Sequence, residues 1–597
     1  MELPHWDMSN IFPSLESSEF EQGLARVENQ INTLAQWFDE NHIERLENRV
    51  PDASTVATLN TALNRLNETL DETQTLQSYI YAFVTTDSRN SLAQAKLSEL
   101  QQHLVTLSKL GTRFTAWVGS LDVDALIAQS EIARAHEYAL HRAEIEAQHQ
   151  MSPLEEELAA ELNLTGAMAW SRLQGNVSSQ ITVPIELDGE QKSLPMSAIR
   201  NLAFDARREV RERAYRAELD AWQANAAPIA AALNSIKGQV NTLSRRRNWE
   251  SALDAAIFQA TIDRATLDAM MTAARESFPD FRRYLRAKAR ALGLEQLAWY
   301  DIFAPIGGSP RVWEFDEARD FIYTNFGTYS DKMRGLAQRA FEQRWIDAEP
   351  RSGKRDGAFC MSVRDDESRI LSNFKAAYGG MNTLAHELGH AYHNLVIAPR
   401  TALQQSTPMT LAETASTFCE TIVRQAALRD ADAKERIVIL EASLQDSCQV
   451  VVDISSRFLF ESRLFDARRA RELSVEELCT LMLDAQKETY GDGLDQEQLH
   501  PFMWAAKPHY YSGGLSFYNF PYMFGLLFGL GLYAQYQANP EEFKKGYDDL
   551  LSSTGMADAV TLAARFGIDT HSPDFWRASL DTIREDIDKF EDAVKNL

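Results

Sequence analysis

Residues 384–392 read Leu-Ala-His-Glu-Leu-Gly-His-Ala-Tyr, which sets His386, Glu387 and His390 in the order H-E-x-x-H. Positions i and i+4 of an α-helix share a face, so both imidazoles reach one metal ion, and Glu387 stands close enough to handle the proton of a water there. With 12 histidines in 597 residues, the pattern arises by chance in roughly two of every hundred such chains. The alternative is a surface helix making ordinary i,i+4 contacts. The surroundings have to decide.

They point to a partly buried helix. Gly379-Gly380 predicts a break before it, Asn382 an N-cap, and Pro399 a stop beyond its end. Leu384, Leu388, Ala391 and Leu395 recur at helical spacing, so one side is expected to be buried. A third ligand follows 23 positions after His390: Glu413, in Thr410-Leu-Ala-Glu-Thr-Ala-Ser-Thr-Phe418. Thr407-Pro408 looks like the start of the helix that carries it. Its neighbours Leu411, Ala412, Ala415 and Phe418 are apolar, and a carboxylate among them needs a partner. Catalytic zinc keeps three protein ligands and one open position. A third histidine of the metzincin kind is ruled out, because Val396 stands at its place and His393 replaces the required glycine. Ser416 and Glu420 at i+3 and i+7 from Glu413, and His393 at i+3 from His390, are expected either to orient these ligands or to make ordinary polar contacts.

Amide hydrolysis passes through an oxyanion that needs hydrogen-bond donors besides a metal. The block His509-Tyr-Tyr-Ser-Gly-Gly-Leu-Ser-Phe-Tyr-Asn-Phe-Pro-Tyr522 offers them. Phe517, Phe520 and Phe524 read as core, and Gly513-Gly514 as a mobile loop. Upstream, Ala358–Val363 and Arg369–Phe374 flank the acidic turn Asp365-Asp366-Glu367 and predict a β-hairpin just before the motif helix. An edge strand there would suit a peptide added as a further strand.

These residues resemble the thimet oligopeptidase and oligoendopeptidase F family of zinc metallopeptidases. His386–His393, Glu413-Thr-Ala-Ser416, and His509 with Tyr518 and Tyr522 carry the resemblance. So do the opening His5-Trp-Asp-Met-Ser-Asn-Ile-Phe-Pro13 and the segment Trp299-Tyr-Asp-Ile-Phe-Ala-Pro305. The resemblance implies a mainly α, two-lobed zincin-type fold with a deep channel and a small β-sheet near the metal helix. It implies one Zn2+ per chain held by His386, His390 and Glu413, with Glu387 as general base. His509, Tyr518 and Tyr522 would face the substrate carbonyl, Tyr522 foremost, and the substrates would be short peptides cut internally. Two alternatives share the motif: a zinc carboxypeptidase trimming C-termini, and a non-catalytic helical peptide-binding protein.

A chain of 597 residues, 45% hydrophobic and 24% charged, supports a large core and more than one lobe. Its charge of −26 argues against nucleic acid or an anionic membrane as partner. Cys360, Cys419, Cys448 and Cys479 form no C-x-x-C pair, and no signal peptide is visible, so a cytoplasmic enzyme with reduced thiols is expected. Leu515–Ala534 is uncharged and long enough to span a bilayer, but Ser516, Asn519 and Pro521 fit a buried helix better. Apolar spacing predicts helices over Phe20–Phe38, Ser54–Thr85, Ser91–Leu121 and Val123–Leu162. Ile181–Leu187 with the turn Asp188-Gly189 predicts strands and a boundary between an N-terminal domain, 1–195, and a catalytic domain, 196–597.

Overall fold

Apolar spacing in the N-terminal stretch is realised by three long helices. In the computed structural model, which describes residues 3–46, 51–307 and 311–595, they run Ser18–Glu40, Ala53–Thr86 and Ser91–Val118. Phe20, Val27, Ile31, Leu34 and Phe38 recur every three or four residues and are buried with Leu59, Leu63, Leu66, Leu110 and Phe114. Each such side chain contributes about 1.5–3 kcal/mol by leaving water. Ser17, Asp52 and Asn90 cap the three N-termini, each accepting a hydrogen bond from the backbone N–H three residues on.

The stretch expected as helix over Val123–Leu162 is four helices: Val123–Gln129, Glu131–Ala135, Glu137–Gln148 and Pro153–Thr165. Ser130 caps the second, and Ser152 caps the last in a reciprocal box with Glu155, with Pro153 in its first turn. These are start signals inside an apparently continuous period, and they override it because each satisfies backbone N–H groups that a helix start leaves open.

Packing divides the chain into two units. Residues 1–150, 311–427 and 532–566 form the first; 151–310, 428–531 and 567–597 form the second. The boundary expected at residue 195 therefore lies inside the second unit. The strands Thr182–Leu187 and Glu190–Pro195 do form, turning at Asp188 and Gly189 with φ of 55° and 81°. They pack on the helix Arg208–Arg246, however, and so share its unit. A switch from helix to strand marks local hydrogen bonding, whereas a unit ends where contacts thin out. In the second unit the helix Arg264–Ala291 lies along Pro573–Val594, burying Phe278, Phe281, Trp576, Ile583 and Phe590.

The expected hairpin is present in the first unit. Phe359–Arg364 pairs antiparallel with Glu367–Leu371 around Asp365, whose φ is 49°. Ile346–Asp347 adds a parallel strand on the other side of Glu367–Leu371, leaving Phe359–Arg364 at the sheet edge. The hairpin packs on the helix of the H-E-x-x-H motif. Among the described residues no helix is long and apolar enough to cross a membrane.

Candidate active site

The motif helix is Tyr378–Ile397. It starts earlier than the glycines suggested: Ala377 is the N-cap, without a side-chain bond, and Gly379-Gly380 lie in the first turn. A Cβ on Gly380 would sit 2.1 Å from the Lys375 carbonyl oxygen, so that glycine admits the returning backbone and does not break the helix. Asn382 is accordingly no N-cap; its Nδ2 donates to Glu420 Oε1 at 2.7 Å. Leu384, Leu388 and Ala391 are buried as expected, and Leu395 is half-buried.

Glu413 stands between the short turn Met409–Ala412, which follows Pro408, and the helix Thr414–Asp430. His386 Nε2 lies 3.3 Å and His390 Nε2 3.4 Å from Glu413 Oε2. Ligands on a tetrahedral zinc with bonds of about 2.0–2.1 Å stand about 3.3–3.4 Å apart, so this donor set fits the ion. His386, His390 and Glu413 are the three-residue group whose ligand atoms all lie within 4.8 Å of one another among the described residues.

Two of the three polar residues named from sequence contact the group. Ser416 Oγ donates to Glu413 Oε2 at 2.9 Å. His386 Nδ1 lies 3.0 Å from Glu420 Oε2; donating there leaves Nε2 with its lone pair for a metal. His393 does not turn to His390: its Nε2 lies 2.9 Å from Thr554 Oγ1 and 3.2 Å from the Leu551 carbonyl. Burial would raise the Glu413 carboxyl, but the hydrogen bonds from His386 and His390 hold it well below the carboxylate range. Burial raises the Glu387 carboxyl, against the pull of His386 and His390. Its Oε2 is buried with no hydrogen-bond partner, an arrangement costing about 1–3 kcal/mol unless a ligand supplies one. A cavity of about 500 Å³ opens beside His390, lined by Asp71, Gln74, Ser362 and Thr407.

Gly389 carried no expectation from sequence. A Cβ there would lie 2.5 Å from Ser416 Cα and 2.7 Å from the Ala415 carbonyl oxygen. The two helices therefore cross backbone to backbone at Gly389, which is what brings Glu413 to the histidines. A glycine inside a helix costs about 1 kcal/mol against alanine, and that anomaly was the available signal.

His509, Tyr518 and Tyr522 lie in the second unit, where they form one cluster. The Tyr518 and Tyr522 hydroxyls are 2.5 Å apart, and the His509 ring stacks 5.8 Å from that of Tyr518. Gly513 is held by packing: a Cβ on it would meet Ala167 Cβ at 2.5 Å. Phe517 has a φ of 54°, secured by its N–H to Glu461 Oε2 at 3.2 Å and by stacking on Phe465. Phe517, Phe520 and Phe524 are buried, as expected. Burial, then Arg457, Lys507 and Lys237, push His509 down to about 3. Arg457 and Asn519, which hold this cluster, carried no signal in spacing or composition.

The description of peptidase family M3 matches residues 328–582, and that of oligopeptidase F matches residues 121–182. An oligoendopeptidase F homolog of Lactococcus lactis subsp. lactis is 23% identical over 603 residues, covering 99% of this chain and 97% of that protein. Oligopeptidase PepF of Bacillus subtilis is also 23% identical, over 99% of this chain and 87% of its own length. In fold, the chain is similar to the crystal structure of oligoendopeptidase-F from Enterococcus faecium, with a TM-score of 0.71 at 16% identity over 97% of this chain and 99% of that one. A solved chain from Chlamydophila abortus reaches 0.81 at 19% identity over 99% and 98%. At these identities the structures speak for the mainly α fold alone, while the sequence matches speak for kinship. The chain belongs to peptidase family M3, on its oligoendopeptidase F branch, and is a metalloendopeptidase.

Proposed function

We propose that this metallo-oligoendopeptidase is a zinc enzyme hydrolysing internal bonds of short peptides, with His386, His390 and Glu413 as ligands and Glu387 as general base. The observation that carries the reading is the His-His-Glu group with the unpartnered, buried Glu387 Oε2 on the same helix. When bound, zinc supplies Lewis acidity that acidifies a water and polarises a carbonyl. Glu387 takes the proton of the attacking water on its carboxylate and returns it to the departing amine nitrogen. Glu420 keeps the His386 ring turned with Nε2 outward, and Ser416 steadies the Glu413 carboxylate.

His509, Tyr518 and Tyr522, assigned from the family resemblance, donate hydrogen bonds to the developing oxyanion, with Tyr522 foremost. The edge strand Phe359–Arg364 holds the peptide main chain; part of its outer edge is already used, since Ser78 Oγ donates to the Ser362 carbonyl at 2.8 Å. Four free cysteines support a reducing, cytoplasmic setting, and the charge of −26 disfavours nucleic acid or an anionic membrane as partner.

The test is an end-blocked, internally quenched peptide of about ten residues, with and without a zinc chelator, the cut located by mass. Internal cleavage that the chelator abolishes and zinc restores supports the reading. Cleavage confined to peptides with a free C-terminus would replace it with the carboxypeptidase.

A further inference from the structure

A chain of polar side chains runs through the second unit and ends on His509. It begins at Asp453, 4% exposed, the last residue of a π-helical turn Gln449–Asp453, a distortion that recurs at functional sites. One turn on, in the helix Ile454–Ala470, Arg457 pairs through Nη2 with Asp453 Oδ2, while Tyr490 donates to Asp453 Oδ1 at 3.4 Å. Arg457 Nη1 donates to Asn519 Oδ1 at 3.1 Å, and Asn519 Nδ2 lies 2.9 Å from His509 Nε2.

Each link leaves one arrangement for the next. Guanidinium nitrogens only donate, so the Asn519 amide must present its oxygen to Arg457 and its NH2 to His509. An amide NH2 only donates, so His509 Nε2 must accept. A neutral imidazole that accepts at Nε2 carries its hydrogen on Nδ1.

We propose that Arg457 and Asn519 are positioning residues that fix His509 as the neutral Nδ1–H tautomer, making Nδ1–H its one ring donor. Asp453 holds Arg457 in place for this. The charged groups around the ring agree: Arg457, Lys507 and Lys237 are cations that oppose a second proton, and Lys237 is itself paired with Glu461 at 2.7 Å. Two aromatic rings also lie beside it, Tyr510 at 4.5 Å and Tyr518 at 5.8 Å. A hydrogen-bond donor that stays neutral over the working pH range suits the oxyanion role given to His509 above; that role rests on the proposed function, the tautomer does not.

The experiment is 15N–1H spectroscopy of the zinc-loaded, full-length protein labelled at histidine, with the His509 signals assigned by their loss in His509→Gln. Expected are a protonated Nδ1, a bare Nε2, and no titration between pH 8 and 5. Asn519→Asp puts a carboxylate opposite Nε2; there the hydrogen moves to Nε2, the ring titrates at higher pH, and kcat falls about 10–100-fold with little change in KM. Arg457→Lys, which keeps a donor toward Asn519 Oδ1, retains the tautomer, whereas Arg457→Met mixes the two. A wild-type His509 carrying its hydrogen on Nε2, or titrating above pH 6, overturns the proposal, as does an unchanged tautomer in Asn519→Asp. If the tautomer is as described but His509→Gln cleaves peptide at the wild-type rate, the positioning stands and the oxyanion role of His509 falls.

Discussion

The two clusters of this molecule are built by opposite means. In the first unit, the His-His-Glu group lies within 28 residues of chain, two histidines on one helix and Glu413 just before the helix that crosses it, and helical geometry alone places two of these three candidate ligands. In the second unit, the His509–Tyr522 block is a loop and a helix start. Its shape depends on Glu461, Arg457 and Asp453, which are remote in sequence, and on a non-glycine residue, Phe517, in the left-handed region. The histidine pair needs only its own helix, while Glu413 also needs the backbone crossing at Gly389. A block held by distant side chains depends on the packing of its whole unit.

The sharpest way to test this contrast is Glu387→Gln. Turnover should fall by about 10²–10⁴-fold or more while metal content stays at one per chain, measured by steady-state kinetics alongside metal analysis. Equal loss of metal would show that Glu387 helps hold the ion. On the other side, Tyr522→Phe should lower kcat about 10²–10³-fold with little change in KM; a change in KM alone would assign Tyr522 to binding.

Acid probes the packing behind the motif. Burial, then the neighbouring His390, push His393 down to about 4, against about 6.5 in the unfolded chain. Between those values the unfolded state binds the extra proton, so stability is lost as pH falls from about 6.5 to about 4, by up to about 3 kcal/mol. Denaturant unfolding of the metal-free protein across that window should show a shallower pH slope in His393→Gln than in wild type. An identical slope would mean that His393 is not buried neutral.

The smallest expected effects belong to the groups that aim the ligands. Glu420→Gln and Gly389→Ala should each weaken metal affinity about 10–100-fold in competition with a chelator. In the first, the hydrogen bond at His386 Nδ1 loses its charge; in the second, a Cβ 2.5 Å from Ser416 Cα forces the helices apart. If Gly389→Ala bound metal as wild type does, the backbone crossing would not be what sets the ligand distances.

Much of the first cluster is legible in the amino-acid order. The i,i+4 histidines, a glutamate among apolar neighbours, and a hairpin turning on Asp365 all rest on interactions a few residues long. Local signals mislead where the residue serves a distant contact instead. Gly380 is small because Lys375 returns against it, Asn382 reaches Glu420 instead of capping, and His393 bonds to the turn at Leu551–Thr554. The helix expected over 123–162 is broken at Ser130 and Ser152, caps that an average over apolar spacing passes over, and again at His136, which caps nothing through its side chain.

The sequence by itself determined the helical class, the His-His-Glu candidates for a metal site and the kinship to family M3, because periodicity and short motifs are properties of neighbouring residues. Only the tertiary structure decided that each unit draws on three separate stretches of chain, that Gly389 sets the helix crossing, and that Arg457 and Asn519 meet at His509. The physical reason is that hydrogen-bond direction and van der Waals contact act between residues that chain order leaves far apart, and folding alone brings them within about 3 Å of each other.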